Sequence, residues 1–85
     1  MRLLQRELKK QAREAGHYWL ADLVEKAFPQ SDLEVDTIDY VDTWIIRVPK
    51  YSDPRNWPEV TVFMPDDGPV TFRIVYPDGS VVESE

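Results

Sequence analysis

No cysteine occurs among the 85 residues, so neither a disulfide frame nor thiolate chemistry is open to this chain. Packing alone must hold it together. A single histidine, His17, is its whole complement of imidazole. The three glycines, Gly16, Gly68 and Gly79, stand apart, which excludes a glycine-rich phosphate loop. No apolar run approaches the ~20 residues that a membrane span requires. Met1-Arg2-Leu3-Leu4 begins as an export leader does, but Gln5-Arg6-Glu7 interrupts it before an apolar stretch forms. These absences lead us to expect a cytoplasmic chain, off the membrane, with no cofactor, no metal and no catalytic centre.

What remains is ordinary for a folded domain. A hydrophobic share of 42% with 31% charged residues argues against disorder and for one domain over residues 1–85. A domain of this size buries only about 60–65% of its unfolded surface, leaving one modest core and little depth for a water-excluding active site.

The net charge of −6 is unevenly divided. Residues 1–29 carry six basic and four acidic side chains, whereas residues 30–85 carry four basic and twelve acidic ones. Phosphate binding needs a basic surface, so direct nucleic-acid binding by the acidic part is not expected. A basic surface on a partner protein suits it better.

Helical periodicity runs from Arg2 to Phe28 and stops at Pro29, because the residue before proline resists the α region. Leu4, Leu8, Ala12 and Ala15 form one apolar stripe. Trp19, Leu20, Leu23, Val24, Ala27 and Phe28 form a second, turned by about 100° from the first. One straight helix cannot aim both at a single core. Gly16 sits at the change of phase, where a left-handed residue ends a helix. The spacing therefore predicts a broken pair, 2–15 and 18–28, with one kinked helix as the alternative.

From Asp32 the period becomes two. Leu33 and Val35 point one way, Ile38 and Tyr40 the other, which predicts a bulge or a bend near Asp36-Thr37. Trp44, Ile46 and Val48 share a strand face, as do Val60, Val62 and Met64, then Val70, Phe72, Ile74 and Tyr76. Pro65-Asp66-Asp67-Gly68-Pro69 and Pro77-Asp78-Gly79 are turn chemistry, and a short last strand follows at Val81–Glu83. The expected fold is α+β, with a helical layer (1–29) packed on a four- to five-stranded antiparallel meander (30–85).

Five features compete for function. His17, beside Gly16, reads as part of a helix end rather than a base, since no second imidazole or thiol accompanies it. Asp66-Asp67-Gly68 and Asp53 lack the oxygen-ligand series of a calcium loop and read as turns. Arg2, Arg6, Lys9 and Arg13 form one basic stripe, which faces solvent or pairs with the acidic half of a second copy to give a homodimer. Asp32, Glu34 and Asp36 fall on one side of a strand about 7 Å apart, with Asp39 and Asp42 following. That row either solubilises a sheet face or meets a cationic target.

Tyr51, Arg55 and Trp57 lie in a proline-rich loop and are residue types enriched at binding hot spots. Against this, a small core also recruits a loop tryptophan as a lid. The expected function is a protein-interaction or regulatory module that binds a basic partner surface through Asp32, Glu34, Asp36, Asp39, Asp42, Tyr51, Arg55 and Trp57. A nucleic-acid-mimicking inhibitor is a sharper version of this reading. A carrier of a small apolar ligand, with a pocket lined by Trp19, Phe28, Trp44 and Phe72, is a different one.

Overall fold

A computed structural model describes residues 1–49 and 57–84. In chain order the elements are β1 (Arg2–Leu4), α1 (Gln5–Glu14), α2 (Tyr18–Ala27), β2 (Glu34–Asp39), β3 (Thr43–Arg47), β4 (Glu59–Phe63), β5 (Thr71–Val75) and β6 (Val81–Glu83). The strands form one antiparallel sheet in sequence order, β1 to β6, with helices on one face. The α+β meander is as expected, but it has six strands rather than four or five.

The extra strand comes from residues read as helical. Leu4 leaves the predicted stripe for β1, and Leu3 faces the core opposite Val35, in register Arg2↔Asp36, Leu3↔Val35 and Leu4↔Glu34. Helix α1 therefore begins at Gln5. The Leu4 amide donates to Glu7 Oε2 (3.2 Å), and the Gln5 and Arg6 amides donate to the carbonyls of Leu33 (2.8 Å) and Ser31 (3.2 Å). Amides that open a helix have no partner within it. Here the segment before β2 supplies two, and strand pairing outweighs three residues of helical propensity.

The break between the helices is where the phase shift placed it. Gly16 has φ +83, its amide donates to the Arg13 carbonyl (3.0 Å), and the His17 amide donates to that of Ala12 (2.8 Å). These are the two bonds of a Schellman ending. The turn lets α1 bury Gln5, Leu8 and Ala12 while α2 buries Leu20, Ala21, Leu23, Val24 and Ala27. Lys9 and Glu25 pair across the two helices at 3.6 Å.

The expected bulge is absent. Register runs unbroken from Asp36↔Arg47 to Asp39↔Trp44, and alternation carries Val35 and Thr37 inward. Thr37, a polar residue, occupies the core-facing position. Its amide (2.7 Å) and hydroxyl (3.3 Å) both donate to the Met1 carbonyl, so burial leaves neither group unmatched. Ile38 falls on the outer face beside Ile45.

The core joins Leu8, Leu20, Val24 and Phe28 to Val35, Ile46, Val60 and Val62, all at most 1% exposed. Burying each such side chain contributes about 1.5–3 kcal/mol. Among the described residues no helix is long and apolar enough to cross a membrane.

Candidate functional site

The sheet distributes the predicted acidic row over two faces and a turn. Glu34 and Asp36 stand on the outer face, away from the helices, and both are already paired. Asp36 lies 3.3 Å from the Met1 ammonium and 3.8 Å from the Arg47 guanidinium, while Glu34 lies 3.9 Å from Arg2. These cations share the outer face because register sets Arg2, Asp36 and Arg47 side by side across β1, β2 and β3. Asp32 is exposed in the segment that enters β2. Asp39 has the opposite phase to Asp36 and lies at the end of β2, and Asp42 sits in the β2–β3 turn. The five carboxylates therefore form no single patch.

A different acidic surface emerges from the topology. In a meander, alternate turns lie at the same end of the sheet. The β2–β3 turn (40–42) and the β4–β5 turn (64–70) meet there, and the Met64 amide donates to the Asp42 carbonyl at 2.8 Å. Asp39 at the end of β2, Asp42 in the first turn, and Asp66 and Asp67 in the second are all exposed. Segments 39–46 and 59–72 contain no lysine or arginine, Arg47 of β3 and Arg73 of β5 lying just beyond them.

Apolar side chains accompany the charge. Tyr40, Val41, Phe63 and Val70 are exposed at this end, Val41 completely. A cleft of about 410 Å³ opens on the helix side, between Met1, Thr37, Asp39, Trp44 and Met64. A second, of about 320 Å³, lies on the outer face beside Thr61, Phe63, Thr71, Arg73 and Glu83. Carboxylates over aromatic and aliphatic surface can hold a cationic side chain by both charge and stem.

The remaining candidates fall elsewhere. His17 is exposed at the start of α2, with its ring edge-on to Trp19 at 6.0 Å between centroids. Trp57 is half-buried and packs against the core. Tyr51, Arg55 and Asp53 lie outside the described residues. Of the four aromatics expected around a ligand pocket, Phe28 is wholly buried in the packed core. Trp44 lines the 410 Å³ cleft, and Trp19 and Phe72 line another, between α2 and β5–β6. Among the described residues, then, Trp44 lines a different cleft from Trp19 and Phe72. Among the described residues no group of three acidic or imidazole side chains could hold a metal ion.

Asp66 and Asp67 were legible only as turn formers. The available signal was the alternation of turns between sheet ends, combined with two segments empty of positive charge.

No protein family, no curated protein and no solved structure matches this chain.

Proposed function

We propose that the chain is a protein-interaction module that engages a basic surface of a partner protein through the end of the sheet carrying the β2–β3 and β4–β5 turns. One observation carries this reading: Asp39, Asp42, Asp66 and Asp67 gather beside exposed Tyr40, Val41, Phe63 and Val70, in segments without a lysine or arginine. Carboxylates kept for solubility alone have no need of exposed aromatic and aliphatic neighbours. Together they match the composition of an interface, with apolar anchors for affinity and charge for orientation and encounter rate.

The site differs from the acidic row read from sequence, retaining Asp39 and Asp42 and adding Asp66 and Asp67. Glu34 and Asp36 are assigned to the fold, because their charge is taken up by Arg2, Arg47 and the Met1 ammonium.

Affinity capture with charge-reversed variants tests the reading. Asp42→Lys/Asp66→Lys/Asp67→Lys is expected to lose a partner that the wild type and a control reversed at Asp22, Glu25 and Asp32 both retain. Wild-type affinity is expected to fall steeply with added salt. Equal capture by all three proteins, or affinity indifferent to ionic strength, would overturn it.

A further inference from the structure

We propose that two copies of this chain associate edge to edge through β6, antiparallel about a two-fold axis at Val82. This surface is separate from the acidic turns and from the expected basic stripe, of which Arg6, Lys9 and Arg13 lie on α1 while Arg2 lies in β1. The two edges of the sheet are unequal. At β1 the N-terminal ammonium is held by Asp36 and by the Thr37 carbonyl (2.8 Å), Arg2 is paired with Glu34, and the chain turns at once into α1. Charges and a short strand are the usual means of blunting an edge.

β6 is as short as β1, but it is less guarded by charge. Its one charged residue, Glu83, is matched from within the same molecule by Arg73 at 3.1 Å. Val81 and Val82 are 48% and 47% exposed, on opposite faces of the sheet, and Val75 beside Val81 is 37% exposed.

Hydrogen-bond alternation defines what this edge offers. The Ser84 amide donates to the Phe72 carbonyl (2.9 Å), and the Tyr76 amide donates to the Ser80 carbonyl (2.9 Å). With Ile74 opposite Val82 midway between these pairs, the amides and carbonyls of Val81 and Glu83 point away from β5. A two-fold axis at Val82 sets Val81 opposite Glu83 of the second copy, so the same four groups on each copy satisfy one another. That register is self-complementary, as a two-fold contact requires.

Val82 then meets its own counterpart over the cleft of about 370 Å³ that α2 leaves uncovered, floored by Phe72, Ile74 and Tyr76 and walled by Trp19 and Leu23. Because Arg73 balances Glu83, like charges do not oppose one another across the joint. Three paired residues cover far less than the ~1,000 Å² of a lasting interface, so the association is weak and concentration dependent.

Two variants test this with sedimentation velocity from micromolar to millimolar concentration. The chain lacks cysteine, so Val82→Cys introduces a lone thiol at a non-hydrogen-bonded pair. Such a pair has Cα atoms ~4.5 Å apart, within the span of a disulfide. Under mild oxidation it is expected to cross-link at least about tenfold faster than Val41→Cys, whose thiol stands fully exposed in the β2–β3 turn. Glu83→Pro removes an outward amide that the monomer does not use. It is expected to keep the circular-dichroism spectrum of the fold while losing concentration-dependent association. A wild type that stays monomeric throughout, cysteine variants that cross-link at equal rates, or a folded Glu83→Pro that associates like the wild type would each overturn the proposal.

Discussion

The side-chain amide of Gln5 donates to the main-chain carbonyl of Phe28 across 2.7 Å, inside a core where both residues are 0% exposed. The bond joins the first turn of α1 to the residue that ends α2, so one polar contact closes the helical layer on itself. It has a cost, because Gln5 Oε1 is equally buried and has no hydrogen-bond partner among the described residues.

Gln5→Ala is expected to destabilise the fold by about 2–3 kcal/mol, from a cavity plus an unmatched Phe28 carbonyl. Gln5→Leu restores volume and removes the orphaned oxygen, so it is expected to be the milder change. Urea denaturation of both variants measures the difference. If Gln5→Leu matches the wild type, the Phe28 bond contributes nothing net.

Gly16→Ala isolates the helix break. A Cβ at this position meets nothing within 4 Å, so any loss comes from the positive φ alone. About 1 kcal/mol is expected. Thermal unfolding reads it, and an unchanged midpoint would mean that the turn relaxes to a right-handed conformation at no cost.

The carboxylates separate into two groups by stability. Asp36, paired twice and with a side chain 21% exposed, is expected to lose up to about 1 kcal/mol on replacement by Ala, less at high salt. Asp39, Asp66 and Asp67 are expected to lose nothing, or to gain slightly as mutual repulsion falls. Chemical denaturation at two salt concentrations distinguishes the groups. A clear loss at Asp66 or Asp67 would assign those residues to the fold rather than to a partner.

The β5–β6 turn carries a pH signature. Asp78 accepts from the Ser80 hydroxyl (2.6 Å) and amide (2.9 Å), and these bonds hold its carboxyl below the ordinary value of 3.8. A depressed folded pKa stabilises the fold above the unfolded value, and that contribution disappears as pH falls through the folded one. Ser80→Ala, which removes the hydroxyl bond, is expected to move the Asp78 midpoint upward in a carboxyl NMR titration. No movement would mean that the amide alone sets it.

Much of the fold was legible because its determinants are local. Gly79, at φ +91, closes the β5–β6 turn together with the Asp78–Ser80 bonds, all within five residues of chain. The alternation of Trp44 with Ile46, and of Val60 with Val62, gave each strand its inward face in the same way. Leu3 and Thr37 defeated the same reasoning. Nothing near Leu3 indicates that it will pair with Val35, and a threonine breaks the apolar rhythm of β2 although the Met1 carbonyl receives both of its donors.

The site was less legible than the fold. Asp36 looks free in sequence because its two cations come from Met1 and Arg47, one 35 residues before it and the other across a hairpin. Asp66 and Asp67 gain significance only when their turn is brought beside Asp42.

By itself the sequence determined where the chain turns, where the helix breaks and which positions of β3, β4 and β5 face inward, since propensity, turn chemistry and periodicity act over a few residues. Only the tertiary structure decided that residues 2–4 become a strand, which carboxylates lie beside a cation and which are gathered, exposed, at one end of the sheet. Ion pairing and edge pairing depend on distances between segments remote in the chain, and those distances exist only after the sheet has closed on its core.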